Sequence, residues 1–269
     1  VCGQANKIQH MSNYYYSSVN IELAKKLSEV SGLSKSFFCN SGAEANECAI
    51  KVAREYGKEY GAYKIITLTN SFHGRTLTTL AATGQENFHK SFLPLTEGFV
   101  YADINNIDEI KKHLDGSVCA VLIEMVQGEG GVIPLDESYV KQIRALCDEA
   151  CILMIVDEIQ TGVGRTGKMF AYQNYGVMPD VITCAKGLGA GLPIGVCIVN
   201  EKLKDIFNPG MNGSTFGGNP MVCAGAVEVL NRIGSEAFLN DVVEKGEYYK
   251  LKLEEMEKVE FVRGKGLMI

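Results

Sequence analysis

The chain has 269 residues, 46% hydrophobic and 22% charged, a balance ordinary for a globular protein and a length ample for a large core. A formal net charge of −6 with no block of like charges excludes nucleic acid or a membrane surface as the main partner. No run of about 18 apolar residues occurs, so no membrane-spanning helix is predicted.

The elements follow in chain order. Ile21, Ala24, Leu27 and Val30 recur at helical spacing and predict a helix over 18–31. The apolar stretch Phe37-Phe38-Cys39 leads into Asn40-Ser41-Gly42-Ala43-Glu44, and a helix follows with Ala45, Ala49, Val52, Ala53, Tyr56 and Tyr60 along one side. A strand over 64–69 gives way to a turn at Phe72-His73-Gly74. A short amphipathic helix over 108–114, a buried strand over 118–123 ending on Glu124, and a helix over 138–150 come next. Two short, β-branched runs follow: Ile152 to Val156, which ends on Asp157, and Val181 to Ala185, which ends on Lys186. A strand over 194–199 and helices over 201–207, 221–233 and 237–258 complete the pattern.

Strands alternating with helices predict an α/β fold: a mainly parallel sheet with helices on both faces. Residues 1–235 read as one large domain and 236–269 as the start of a second, truncated domain. The chain opens on Val1, and a strand begins to form between Gly264 and Ile269, so the sequence reads as a piece of a longer one. Nine scattered cysteines without a C-x-x-C pair imply a reduced, cytoplasmic protein with no metal site and no disulfide framework.

In open α/β sheets, ligands bind beyond the carboxyl ends of the strands. Asp157 and Lys186 each close a run predicted to be buried, so an acid and a lysine face that region. A lysine directly after Val-Ile-Thr-Cys-Ala is unusual, and a desolvated lysine is a nucleophile that forms Schiff bases; its plainer reading is a surface lysine. Between the two, Gly162 to Gly167 spells G-x-G-x-x-G. Residues Asp157 to Thr161 separate it from the preceding strand, and the next strand ends on lysine, which argues against a dinucleotide site. Met169 stands where a P-loop needs a hydroxyl. Asn40-Ser41-Gly42-Ala43 is better placed: it opens a long helix whose free amides and dipole suit an anion, although taken alone a simple N-cap with Glu44 in the first turn is the commoner explanation. A lysine, an acid and an anion cradle together match the needs of pyridoxal phosphate.

Asn40-Ser41-Gly42-Ala43-Glu44-Ala45-Asn46-Glu47, Phe72-His73-Gly74-Arg75-Thr76, Gln127-Gly128-Glu129-Gly130-Gly131, Asp157-Glu158-Ile159-Gln160-Thr161-Gly162, Ala185-Lys186-Gly187 and Gly213-Ser214-Thr215-Phe216-Gly217-Gly218-Asn219-Pro220 resemble, in order and spacing, the successive motifs of class III aminotransferases. The resemblance implies the type I fold of pyridoxal-phosphate-dependent transferases and a homodimer with the site between subunits. It implies that Lys186 carries the cofactor aldehyde and moves the proton, and that Asp157 holds the pyridine nitrogen. Ser41, Gly42 and Ala43 would bind the phosphate, Phe72 would stack on the ring, and Gln160 would approach the ring hydroxyl. Thr215 would reach the phosphate of the partner's cofactor. Arg75, otherwise a surface arginine, would grip a substrate carboxylate. Glu129 would pair with an arginine outside this chain, Glu124 would support the site, and His73 would pack beside it. Within the family the resemblance is to members that move the terminal amino group of N-acetylornithine to 2-oxoglutarate, as in arginine biosynthesis. Relatives acting on ornithine or 4-aminobutyrate are the alternative. An aminomutase is disfavoured by Glu129, and a non-catalytic scaffold by the intact catalytic positions.

Overall fold

The computed structural model describes all 269 residues. Nine strands form in chain order: β1 Lys35–Cys39, β2 Lys64–Leu68, β3 Phe99–Ala102, β4 Val118–Ile123, β5 Val126–Gln127, β6 Ile133–Pro134, β7 Leu153–Asp157, β8 Val181–Cys184 and β9 Gly195–Val199. Seven of them make one sheet in the order β1-β9-β8-β7-β4-β2-β3, and β5 and β6 form a separate two-stranded ribbon. Pairing is parallel from β8 through β7, β4 and β2 to β3. Only β9 runs the other way, antiparallel to both β8 and β1. The link from β8 to β9 is too short for the dozen or so residues that a parallel crossover needs, so the strand returns as a hairpin partner.

Both faces of the sheet are covered, and strand alternation shows it. Leu153 and Ile155 point to one side and join Cys48, Ala49, Val52 and Ala53 of the helix Gly42–Gly57. Met154 and Val156 point to the other and join residues of the helices Ser18–Ser31, Ile107–His113, Glu137–Glu149 and Pro220–Ile233. Period-two side chains buried on both faces give the continuous apolar runs seen in the sequence. Each fully buried Val or Ile contributes roughly 1.5–3 kcal/mol to this arrangement.

The predicted helices and strands correspond closely to observed ones, apart from the short helices Cys2–Ala5, Leu77–Ala82 and Glu86–His89, which no pattern predicted, and the following differences. The expected helix over 201–207 is only a 3-10 turn, Glu201–Leu203, closed by the Asn200 side chain accepting from the Leu203 amide. Strand β3 and the ribbon β5–β6 were not legible, being four and two residues long. The final helix is Glu236–Glu254, shorter at its end than the pattern suggests.

The tail after Ser235 packs onto the glycine-rich loop. A Cβ on Gly164 would meet Ile233 at 2.6 Å, and one on Gly167 would meet Val243 at 2.3 Å. The Leu267 amide donates to the Arg165 carbonyl at 3.0 Å. These glycines therefore serve close packing of two helices and the tail. No helix is long and apolar enough to cross a membrane.

Candidate active site

Six strands of the large sheet share one direction, so β1, β2, β4, β7 and β8 all deliver their carboxyl ends to one edge. The residues that follow them converge there: Asn40 and Ser41 after β1, Phe72 and His73 after β2, Glu124 after β4, Asp157 at the end of β7 and Lys186 after β8. They line a cleft of about 540 Å³, within the range usual for small-molecule sites. Ser41, Gly42, Ala43, Phe72, Arg75, Asp157, Gln160 and Lys186 all lie on its wall. Thr215 and Glu129 do not: both are exposed, Thr215 on the loop before the helix Pro220–Ile233 and Glu129 at the tip of the β5–β6 ribbon.

Asp157 is buried and its carboxylate accepts from three donors. Asn46 Nδ2 and His73 Nδ1 each stand 2.8 Å from Oδ2, and the Ile159 amide donates to Oδ1 at 3.0 Å. A carboxylate only accepts, so Nδ1 of His73 carries the hydrogen in this pair. Asn46 is itself fixed: its Nδ2 also donates to the His73 carbonyl at 2.7 Å, and Thr183 Oγ1 donates to its Oδ1 at 2.7 Å. Nε2 of His73 is buried with no protein partner.

Glu124 accepts from the Phe72 amide at 3.0 Å, which fixes the turn that carries Phe72 into the cleft. Burial pushes its carboxyl up from the usual carboxylate range. Glu158, also buried, accepts from Thr161 Oγ1 at 2.5 Å and from the Tyr172 amide at 2.9 Å, stitching the glycine-rich loop to the end of β7. Burial pushes its carboxyl up to about 7.

The Ser41 turn forms the N-cap that the sequence offered and leaves two amides at the same helix start without a protein acceptor. Ser41 Oγ accepts from the Glu44 amide at 3.2 Å, and Glu44 Oε2 accepts from the Asn40 amide at 2.6 Å, a reciprocal cap. The amides of Gly42 and Ala43, the next two at this helix start, have no protein acceptor and border the cleft. A Cβ on Gly42 would lie 2.8 Å from Ile159 Cδ1, so a larger residue there would have to displace the end of that side chain.

Lys186 differs from its expectation. The sequence suggests a desolvated lysine, but the side chain is exposed on the cleft wall. Strand β8 stops at Cys184, and the chain leaves the sheet in the 3-10 turn Lys186–Gly189. The lysine backbone sits at φ +39, in the left-handed region that a residue with a Cβ occupies only when its surroundings enforce it.

Sequence reasoning missed Asn46 and Gly195. Asn46 interrupts an otherwise apolar helix face, and a buried amide there requires partners; that signal was present. Gly195, opposite Cys39 in the β1–β9 pairing, lets the two strands close beneath the cradle. A Cβ on it would lie 2.2 Å from the Ser41 carbonyl oxygen.

The aminotransferase class-III family matches residues 1–269. The chain is 51% identical over 273 residues to the acetylornithine aminotransferase of Caldanaerobacter subterraneus subsp. tengcongensis, covering 99% of this chain and 69% of that protein. It is 48% identical to the acetylornithine aminotransferase of Haemophilus ducreyi, covering 100% of this chain and 69% of the other. The solved ornithine aminotransferase of Toxoplasma gondii superposes with a TM-score of 0.94 at 33% identity, covering 99% of this chain and 66% of that one. The chain thus spans about two thirds of the length of these relatives.

Proposed function

Because this chain belongs to the class III aminotransferases, we propose that its protein uses pyridoxal phosphate to move the terminal amino group of N-acetylornithine to 2-oxoglutarate. The observation that carries the reading is the convergence of Lys186, Asp157 and the Ser41–Ala43 helix start on one cleft. The donor set fits the cofactor. A buried carboxylate suits a cationic ring nitrogen, two unpartnered amides and a hydroxyl at a helix start suit a phosphate, and a lysine suits an aldehyde. Phe72 and Ile159, both on the cleft wall, offer apolar surfaces for a flat ring.

When bound, pyridoxal phosphate supplies an aldehyde that condenses with amines and a ring that withdraws electrons from the carbon bearing them. The protein's residues do the rest. Asp157, held by Asn46, His73 and the Ile159 amide, would offer its carboxylate to the ring nitrogen. Lys186 Nζ would hold the aldehyde and would act as the general base and acid for the proton on the amine-bearing carbon. Gln160, on the same wall, would approach the ring hydroxyl. Arg75 at the cleft would take the donor carboxylate in a bidentate grip.

The remaining parts of the reading need a second subunit and more of the protein. Thr215, exposed and outside its own cleft, would contact the phosphate held by a partner in a homodimer. Glu129, exposed on its ribbon, would pair with an arginine beyond this chain. Residues 236–269 would open the second domain, and the enzyme would act in the cytoplasm. Ornithine or 4-aminobutyrate as donor is the second reading, supported by the superposition on an ornithine aminotransferase; the higher identity of the acetylornithine enzymes favours the first.

The test is the visible absorption of the full-length protein. The band of the lysine-bound cofactor should be present, decline on adding N-acetylornithine, and be missing in Lys186→Ala. A normal band in that variant sinks the site assignment, and faster decline with ornithine or 4-aminobutyrate sinks the donor assignment.

A further inference from the structure

The Arg75 guanidinium is held by aromatic rings rather than by an acid. It lies 4.9 Å from the ring centre of Phe88 and 5.6 Å from that of Phe72. The two rings meet edge to face, 5.8 Å apart at 73°. Arg75 has no carboxylate partner and donates to no protein acceptor, while Phe72 and Arg75 both line the cleft. Phe88 lies behind them, on the short helix Glu86–His89.

That helix is tied down on both sides of Phe88. Gln85 Nε2 donates to the Ser71 carbonyl at 3.0 Å. His89 Nε2 stands 2.7 Å from the Thr83 carbonyl and 3.1 Å from that of Leu80. The ring of Phe88 is therefore a fixed wall, anchored to the same segment that carries Phe72.

We propose that Phe88 is a positioning residue that sets the preference for carboxylate-bearing donors, by holding Arg75 against its ring with every guanidinium N–H left free. An acidic partner would hold Arg75 equally well but would use the donors that a substrate carboxylate needs. A π face attracts the cation without consuming a hydrogen bond, and the unused N–H edge stays available for two parallel bonds to a carboxylate. Because Phe88 also touches Phe72, the carboxylate grip and the ring-facing surface move as one unit. This rests on the assignment of Arg75 as the carboxylate grip.

The experiment compares holoenzyme variants with N-acetylornithine and with n-butylamine, which lacks the carboxylate and is followed as donor or as competitor. In Phe88→Leu the KM for N-acetylornithine should rise about three- to thirtyfold, the size of a cation–π contact, with kcat and the constant for n-butylamine unchanged. Phe88→Met, which keeps the bulk but not the π face, should behave as Phe88→Leu, and Phe88→Tyr should restore the parent KM. The glutarate concentration that half-saturates the change in the cofactor spectrum should rise by the same factor, a readout independent of turnover. A parent KM in Phe88→Met, or equal losses for both amines, overturns the proposal. Arg75→Met separates the two layers. If it leaves the preference for N-acetylornithine intact, the Arg75 assignment itself fails. If it removes the preference while the Phe88 variants do not, only the role of Phe88 fails.

Discussion

Nδ1 of His73 stands 2.8 Å from Oδ2 of Asp157, and both side chains are buried. The histidine thus belongs to the acid's support rather than to generic packing. A hydrogen bond to a charged group contributes roughly 1.5–3 kcal/mol, and stranding a buried donor costs a comparable amount. His73→Ala should therefore lower the unfolding free energy of the cofactor-free protein by about 1.5–3 kcal/mol, measured in urea. Asp157→Ala should cost at least as much, because it strands both Asn46 Nδ2 and His73 Nδ1. The double variant should lose less than the sum, since the pair shares one contact. Strict additivity would show that the two do not interact.

Glu158 gives the stability a pH dependence of defined sign. Its carboxyl titrates near 7 in the folded protein because burial disfavours the charge, against 4.5 as the ordinary value. Between those values the folded state keeps a proton that the unfolded state has lost. Stability from this group is therefore complete below the lower value and declines as pH rises through the upper one. Glu158→Gln should remove the decline. Its amide oxygen can accept from the Tyr172 amide while its nitrogen donates to Thr161 Oγ1, so the stitching of the loop survives. The variant should match the parent near pH 4 and exceed it at pH 8 by about 1–3 kcal/mol. Parallel stability curves across this range would refute the assignment.

Much of this architecture was legible because each strand carries its own signature. Ile152 to Val156 and Val181 to Ala185 are apolar on both faces, which only a covered sheet requires, and the polar residue that ends each run had to sit at the sheet edge. The reversal of β9 was not legible, because Gly195–Val199 looks like the parallel strands on either side of it. Its direction is set by the length of the link, not by its residues. The exposure of Lys186 was hidden for a similar reason: the run before it predicts burial, but the chain leaves the sheet one residue earlier, at Ala185. Phe88 belongs to a helix of only four residues, too short to show a period, and its meaning lies in the arginine thirteen positions before it.

Gly195 ties the fold to the phosphate cradle and provides the sharpest test of that assignment. It pairs with Cys39, and a Cβ there would lie 2.2 Å from the Ser41 carbonyl oxygen and 2.8 Å from its carbon. Both obstacles are backbone, so no side chain can swing aside. Gly195→Ala must push the Ser41 turn and the start of the helix Gly42–Gly57 away from β9. Overpacking of this kind costs about 1–3 kcal/mol. The displaced groups are those assigned to the phosphate, so affinity for pyridoxal phosphate should fall about tenfold, the effect of roughly 1.4 kcal/mol. Affinity for pyridoxal, which has no phosphate, should fall less, because the atoms that an added Cβ meets belong to Ser41 and Cys39 and not to Asp157 or Lys186. Gly213→Ala is the control: no atom lies within 4 Å of its added Cβ, and both affinities should remain those of the parent. Equal losses for pyridoxal and its phosphate in Gly195→Ala would mean that the Ser41 turn supports the whole cleft without contacting the phosphate.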